Sequence, residues 1–100
     1  MTAPAEVDIG TLIERTPGVY GGRPVLKGTR TPVFLIAEVY AREQDANAVL
    51  RDLSHLDPAL VMAGLAYYLA NRELIDAEMD EEARLYDEEA ARHSKKHPAA

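Results

Sequence analysis

Residues 31–71 read TPVFLIAEVYAREQDANAVLRDLSHLDPALVMAGLAYYLAN, and the punctuation of this stretch decides the fold class. Thr31-Pro32 and Asp57-Pro58 each put a capping side chain ahead of a proline, whose missing N–H suits the first turn of a helix. Behind the first pair, Val33, Ile36, Ala37 and Tyr40 recur at helical spacing, which predicts a helix over about 32–43. Asp45 is a second cap candidate, with Val49, Leu50 and Leu53 on one face and a stop near Ser54. Behind Asp57-Pro58, the stripe Leu60, Val61, Gly64, Leu65, Tyr68 and Leu69 predicts a third helix. Three short helices with tight connections make a helix-turn-helix arrangement the expected core of the chain.

Upstream, the grammar differs. Between Leu12 and Pro32 stand four of the six glycines and three of the six prolines, a density that forbids helix and predicts short strands near 12–15 and 24–30. A lone two-stranded hairpin is marginal in water, so this one must pack on the helices or pair with a second copy of itself. Residues 1–11 are expected to be disordered, leaving a domain over 12–71. Downstream, no proline occurs before Pro98, so the third helix either continues unbroken or breaks near Asn71-Arg72. An acidic helical arm over 72–92 and a frayed tail over 93–100 complete the division.

The charge is unevenly placed. The whole chain carries 11 basic and 17 acidic residues, a net charge of −6, yet residues 1–56 are nearly balanced and the excess acid lies after them. Such a balance excludes indiscriminate coating of nucleic acid or anionic membranes. A length of 100 residues allows one domain, and the 16 alanines in its 47% hydrophobic fraction leave a small core. Cysteine is absent, which excludes disulfides and thiolate metal sites, and the longest apolar stretch, Leu60 to Ala70, is far short of the ~20 residues of a bilayer span. A cytoplasmic, non-enzymatic protein without cofactor or metal is expected: there is no phosphate-binding loop, no H-E-x-x-H, and His93 and His97 stand in the tail.

Two groups of side chains are candidates for binding. Arg23, Lys27 and Arg30, with the hydroxyl of Thr29 and the open backbone of Gly28, could hold phosphate; Tyr67 and Asn71 on the third helix complete a DNA-binding set. That helix is otherwise a poor reader, since its outer face offers Ala59, Met62, Ala63 and Ala66 rather than cations or amides. The second group lies on the arm. Leu74, Ile75, Met79, Leu85 and Tyr86 would supply apolar anchors among carboxylates such as Glu82, which suits a helix that docks on a partner. Taken as a solvated helix, the arm would instead be held by i,i+4 pairs such as Asp80–Arg84 and Glu88–Arg92.

Residues 13–36, IERTPGVYGGRPVLKGTRTPVFLI, with the later AVLRDLSHLDPALVMAGLAYYLANRELID, resemble the family known as domain of unknown function 433, the VapB-like antitoxin group of bacterial toxin–antitoxin pairs. Pro17-Gly18, Gly22-x-Pro24-Val25 and Gly28-Thr29-Arg30-x-Pro32-Val33 carry the likeness, which extends over about 12–79. The resemblance implies a β-hairpin followed by a homeodomain-like three-helix unit and a homodimer, for which the N-terminal β-element is the expected contact. It also implies neutralisation of a PIN-type or PIN-like ribonuclease toxin, with repression of its own operator DNA as a second role. The family usually has a glycine between the first two helices, where this chain has Glu43-Gln44-Asp45. Two other readings stand beside this one: a repressor without a toxin partner, and a helical scaffold.

Overall fold

A computed structural model describes residues 4–96, with side chains to residue 93. The architecture is mainly helical. A 3-10 turn at Ile9–Leu12 leads into strand β1 (Ile13–Glu14), and a second 3-10 turn (Tyr20–Gly22) into β2 (Val25–Leu26). Four helices follow: α1 (Val33–Glu43), α2 (Ala46–Asp52), α3 (Pro58–Ala70) and α4 (Arg72–Lys96). The strands pair antiparallel with Ile13 opposite Leu26 and Glu14 opposite Val25. Among the described residues, no helix is long and apolar enough to cross a membrane.

Asp45 and Asp57 cap as expected, accepting from the N–H groups of Asn47 at 3.0 Å and Ala59 at 2.9 Å. Each such cap stabilises its helix by about 1 kcal/mol. The start of α1 differs from the expectation. Pro32, not Thr31, is the cap residue, and no side chain bonds to the helix end. The physical reason is that residues 31–33 run on as extended chain beside β2: Leu26 N–H donates to Thr31 O and Val33 N–H to Pro24 O, each at 2.9 Å. The disorder expected over 1–11 is also revised at its end, because Asp8 accepts from Gly10 N–H and so starts the 3-10 turn.

The core gathers Leu26 from β2, Val33, Ile36 and Val39 from α1, Val49 from α2, Val61 and Leu65 from α3, and Ile75 from α4. Helix α3 is apolar on nearly every face, and it is accordingly packed on several sides, by α1, α2, both strands and the first 3-10 turn. Gly64 lets it approach closely: a Cβ there would lie 2.9 Å from Leu26 Cδ2 and 3.2 Å from Ile36 Cγ1.

Helix α3 ends at Asn71, which leaves helical geometry (φ −133°, ψ 45°) while its side-chain amide donates to Tyr67 O at 2.9 Å. The chain therefore breaks where the sequence allowed a break. Between α1 and α2, Gln44 adopts the left-handed conformation (φ 55°) that a glycine would adopt without steric cost. We predict that Gln44→Gly stabilises the fold by about 0.5–1 kcal/mol, read as a higher denaturation midpoint at unchanged slope.

Candidate partner-binding site

The route of α4 divides it into two parts. Its first three turns fold back over α1, because Ile75 is fully buried and Met79 packs against the core beside it. Tyr68 donates a hydrogen bond to Asp76 Oδ1 at 2.9 Å, and the Arg72 guanidinium stands 5.3 Å above the Tyr68 ring, which fixes the first turn. Burial, together with the hydrogen bond it donates to Asp76, holds the Tyr68 phenol above its ordinary range. At the third turn, Arg23 reaches from the β-element to form an ion pair with Glu82 while lying 5.7 Å over the Phe34 ring. Beyond this clasp, residues 83–93 are exposed and leave the body. Their projection stretches the molecule to 72 × 31 × 26 Å, with a radius of gyration of 16.8 Å against the ~13 Å of a compact 100-residue domain.

These facts redistribute the expected anchors. Ile75, Met79 and Glu82 are committed within the chain, so of the helix that starts at Arg72 only the part after Glu82 is exposed throughout. The reason is geometric, since the break at Asn71 turns the first half of α4 back towards α1 rather than onward. Leu74 is exposed at the α3–α4 corner, and Leu85 and Tyr86 are exposed on the arm, Tyr86 at 76%. The expected i,i+4 pairs are replaced by Arg84 with Glu81 and Glu88, and by Arg92 with Glu89. Residues 93–96 continue the helix, and the remainder of the expected tail, including His97, lies outside the described residues.

The expected phosphate-binding set is drawn apart. Arg23 is held by Glu82. Gly28 has positive φ (70°) and offers its N–H outward, but that N–H donates to Glu14 Oε1 at 2.8 Å, so a carboxylate of the chain already occupies the anion position. The Thr29 hydroxyl closes the turn, donating to Leu26 O at 2.8 Å and accepting from Thr31 N–H at 3.0 Å. Tyr67 OH accepts from Arg15 at 3.1 Å, and Asn71 caps α3. Lys27 and Arg30 alone of this set have side chains on the open surface. Ala63 and Tyr67, expected on a free face of α3, instead border a depression of about 590 Å³ shared with Ile9, Ile13 and Arg15.

A second depression, of about 320 Å³, opens between α1 and α4, bordered by Phe34, Glu38, Glu82, Ala83, Tyr86 and Asp87. Phe34 and Glu38 were not among the expected site residues. Their spacing of four on α1 puts them on one face, but only the return of α4 makes that face a wall. Close by, Glu78 points inward with Oε1 buried and without a hydrogen-bond partner. Burial raises the Glu78 carboxyl above its usual range, opposed by the charges of Arg23 and Arg15.

Comparison with known proteins places the chain. Residues 13–68 match the family described as protein of unknown function (DUF433). The chain belongs to the DUF433 family. A crystal structure of a DUF433 member from Anabaena variabilis is 33% identical over 70% of this chain and 69% of that one, with a TM-score of 0.54. No curated protein matches the chain. The DUF433 match stops at residue 68, before α4 begins, so the arm lies outside the matched region.

Two measurements test this division of α4. Ile75→Ala should cost about 2–4 kcal/mol of unfolding free energy, whereas Leu74→Ala and Tyr86→Ala should each stay within about 0.5 kcal/mol. Glu78→Gln mimics the protonated acid and should raise the melting temperature at pH 7. Because the folded carboxyl titrates above its unfolded value, protonation relieves its burial as the pH falls, so the advantage of the variant should vanish by about pH 4.

Proposed function

We propose that the chain is a non-catalytic, antitoxin-like protein that holds a PIN-type or PIN-like ribonuclease with the distal part of α4. One observation carries this reading: after Glu82 the helix runs on exposed to solvent while presenting Leu85 and Tyr86 among carboxylates. A tyrosine ring that is 76% exposed gains little from its own fold, whereas a partner groove gives that ring a place to be buried. A nuclease groove that holds metal and substrate phosphates is positively polarised, so an acidic helix competes for it electrostatically. Dimerisation through the β-element belongs to the same proposal, since the outer edge of β1 carries no strand among the described residues.

Operator binding by a homeodomain-like helix-turn-helix has less support. Arg23, Gly28, Thr29, Tyr67 and Asn71 make bonds within the chain, which leaves Lys27 and Arg30 to meet phosphate. Two cations per chain predict a shallow loss of affinity with salt.

The experiment is truncation after Ala83, which keeps Ile75, Met79 and Glu82 in place and removes Leu85 and Tyr86. Co-expressed with the product of an adjacent PIN-like reading frame, the truncated chain should retain its helical circular dichroism and lose capture of that product at least tenfold. Undiminished capture by the truncated chain overturns the proposal.

A further inference from the structure

We infer that the exposed face of α3 is the surface through which two copies of this chain associate. The inference goes beyond the reading of the arm and does not depend on a ribonuclease. Helix α3 buries Val61, Gly64, Leu65 and Tyr68 on one side. On the other, Ala59, Met62, Ala66 and Leu69 follow one another at three- and four-residue spacing and are exposed, Met62 at 43% and Leu69 at 45%. No charged residue occurs from Pro58 to Ala70. The first 3-10 turn extends this surface, since Ile9, 70% exposed, borders the depression of about 590 Å³ together with Ala63, Ala66 and Tyr67. A single solvent-facing leucine or methionine is ordinary, but a contiguous uncharged face marks a contact with another macromolecule.

Area and shape both fit a second copy. Val7 adjoins Ile9 at one end of the face, and Leu74 shares a hollow with Leu69 and Ala70 at the other. The apolar surface between them is on the order of 600 Å² per copy, so two copies would bury about 1,200 Å², enough for a stable interface at its lower bound. A two-fold contact requires one patch to supply both a projection and a recess. At about 100° per helical residue, Met62 and Leu69 fall on one flank of Ala66, while Ala63 and Tyr67, which wall the depression, fall on the other. A two-fold axis running along α3 therefore seats the Met62–Leu69 ridge of each copy in the recess of its mate.

Charge selects the occupant. The chain carries a net charge of −6, so two copies repel wherever acidic residues meet, and the uncharged helix is where that repulsion is least. A positively polarised nuclease groove gains nothing electrostatically from this face, and a nucleic-acid backbone finds no cation on α3. The open edge of β1, two residues long, is too short to hold a dimer alone. Ile13 of that strand borders the same depression, which puts the β-element at the rim of the contact and α3 at its centre.

The test is sedimentation equilibrium of the full chain from micromolar to near-millimolar concentration. The mass should rise from the 11.0 kDa of one chain towards twice that value. Met62→Glu and Leu69→Glu, both at exposed positions, should raise the dissociation constant about tenfold or more with unchanged helical circular dichroism, whereas Leu85→Glu on the arm should leave it unchanged. A second readout needs no variant: on dilution of the unmodified chain the methyl signal of Met62 should shift, while that of Met79, packed against the core, stays in place. A chain that remains a single copy throughout, a Met62 methyl that does not respond, or association that neither α3 substitution weakens, or that Leu85→Glu weakens as much, overturns the inference. Association through α3 by a chain that captures no ribonuclease overturns the antitoxin reading alone, and capture by a chain that stays a single copy overturns the α3 contact alone.

Discussion

At Gly64 three elements meet with no room for a side chain: the Leu26 side chain from β2 and the Ile36 side chain from α1 both press on the backbone of α3. Leu26 and Ile36 are themselves fully buried, so neither has a free direction in which to give way. Close packing of this kind transmits position, because a shift at one member forces the others to move. It ties a two-residue strand, which has no stability of its own, to a helix that would otherwise expose apolar surface on several sides. The β-element therefore needs no second copy to become stable, although its outer edge stays open for one.

From that fixed point the direction of α4 follows. Tyr68 and Asn71, on the last turn of α3, hold the junction, and Ile75 completes the core that Gly64 organises. Arg23, immediately before Pro24 and the buried strand, is thereby placed where it can clasp Glu82. A partly buried ion pair loses much of its attraction to the desolvation of its two charges, so it contributes little stability by itself. Its consequence is positional: stacked on Phe34 as well, it defines the point at which the helix stops belonging to the body and becomes an arm. Glu78, one turn earlier and lacking a hydrogen bond for Oε1, marks the cost of laying an acidic helix against this surface.

Much of this was legible in the residues. Asp45, Asp57 and Pro58 fix helix starts by local hydrogen bonding and local sterics, which need no tertiary information, and they were read correctly. Thr31 and Pro32 were displaced by one residue because β2 claimed the extended chain beside it, a constraint visible only when both segments are in space. The larger difference concerns α4. Periodicity continued without a breaker from Gly64 to Pro98, so the sequence left both a continuous and a broken helix open, and the chosen direction at Asn71 decides whether Ile75 is core or anchor. Charge clustering likewise located Arg23 and Glu82 but not their pairing across 59 positions, for which sequence distance carries no signal.

The net charge of −6 can then be divided by structural role rather than by halves of the sequence. Glu14 is spent on the Gly28 N–H, Glu82 on Arg23, Asp76 on Tyr68, and Glu81, Glu88 and Glu89 on the arginines of their own helix. Glu6, Glu38, Glu43, Asp52, Glu73, Asp80 and Asp87 make no ion pair or side-chain hydrogen bond among the described residues, and they are spread from the N-terminal segment through α1 and α2 to α4. The acidity that first looked like a bulk property is thus partly consumed within the fold, and the part left over is distributed over the surface, where it acts as a net negative field rather than as one site.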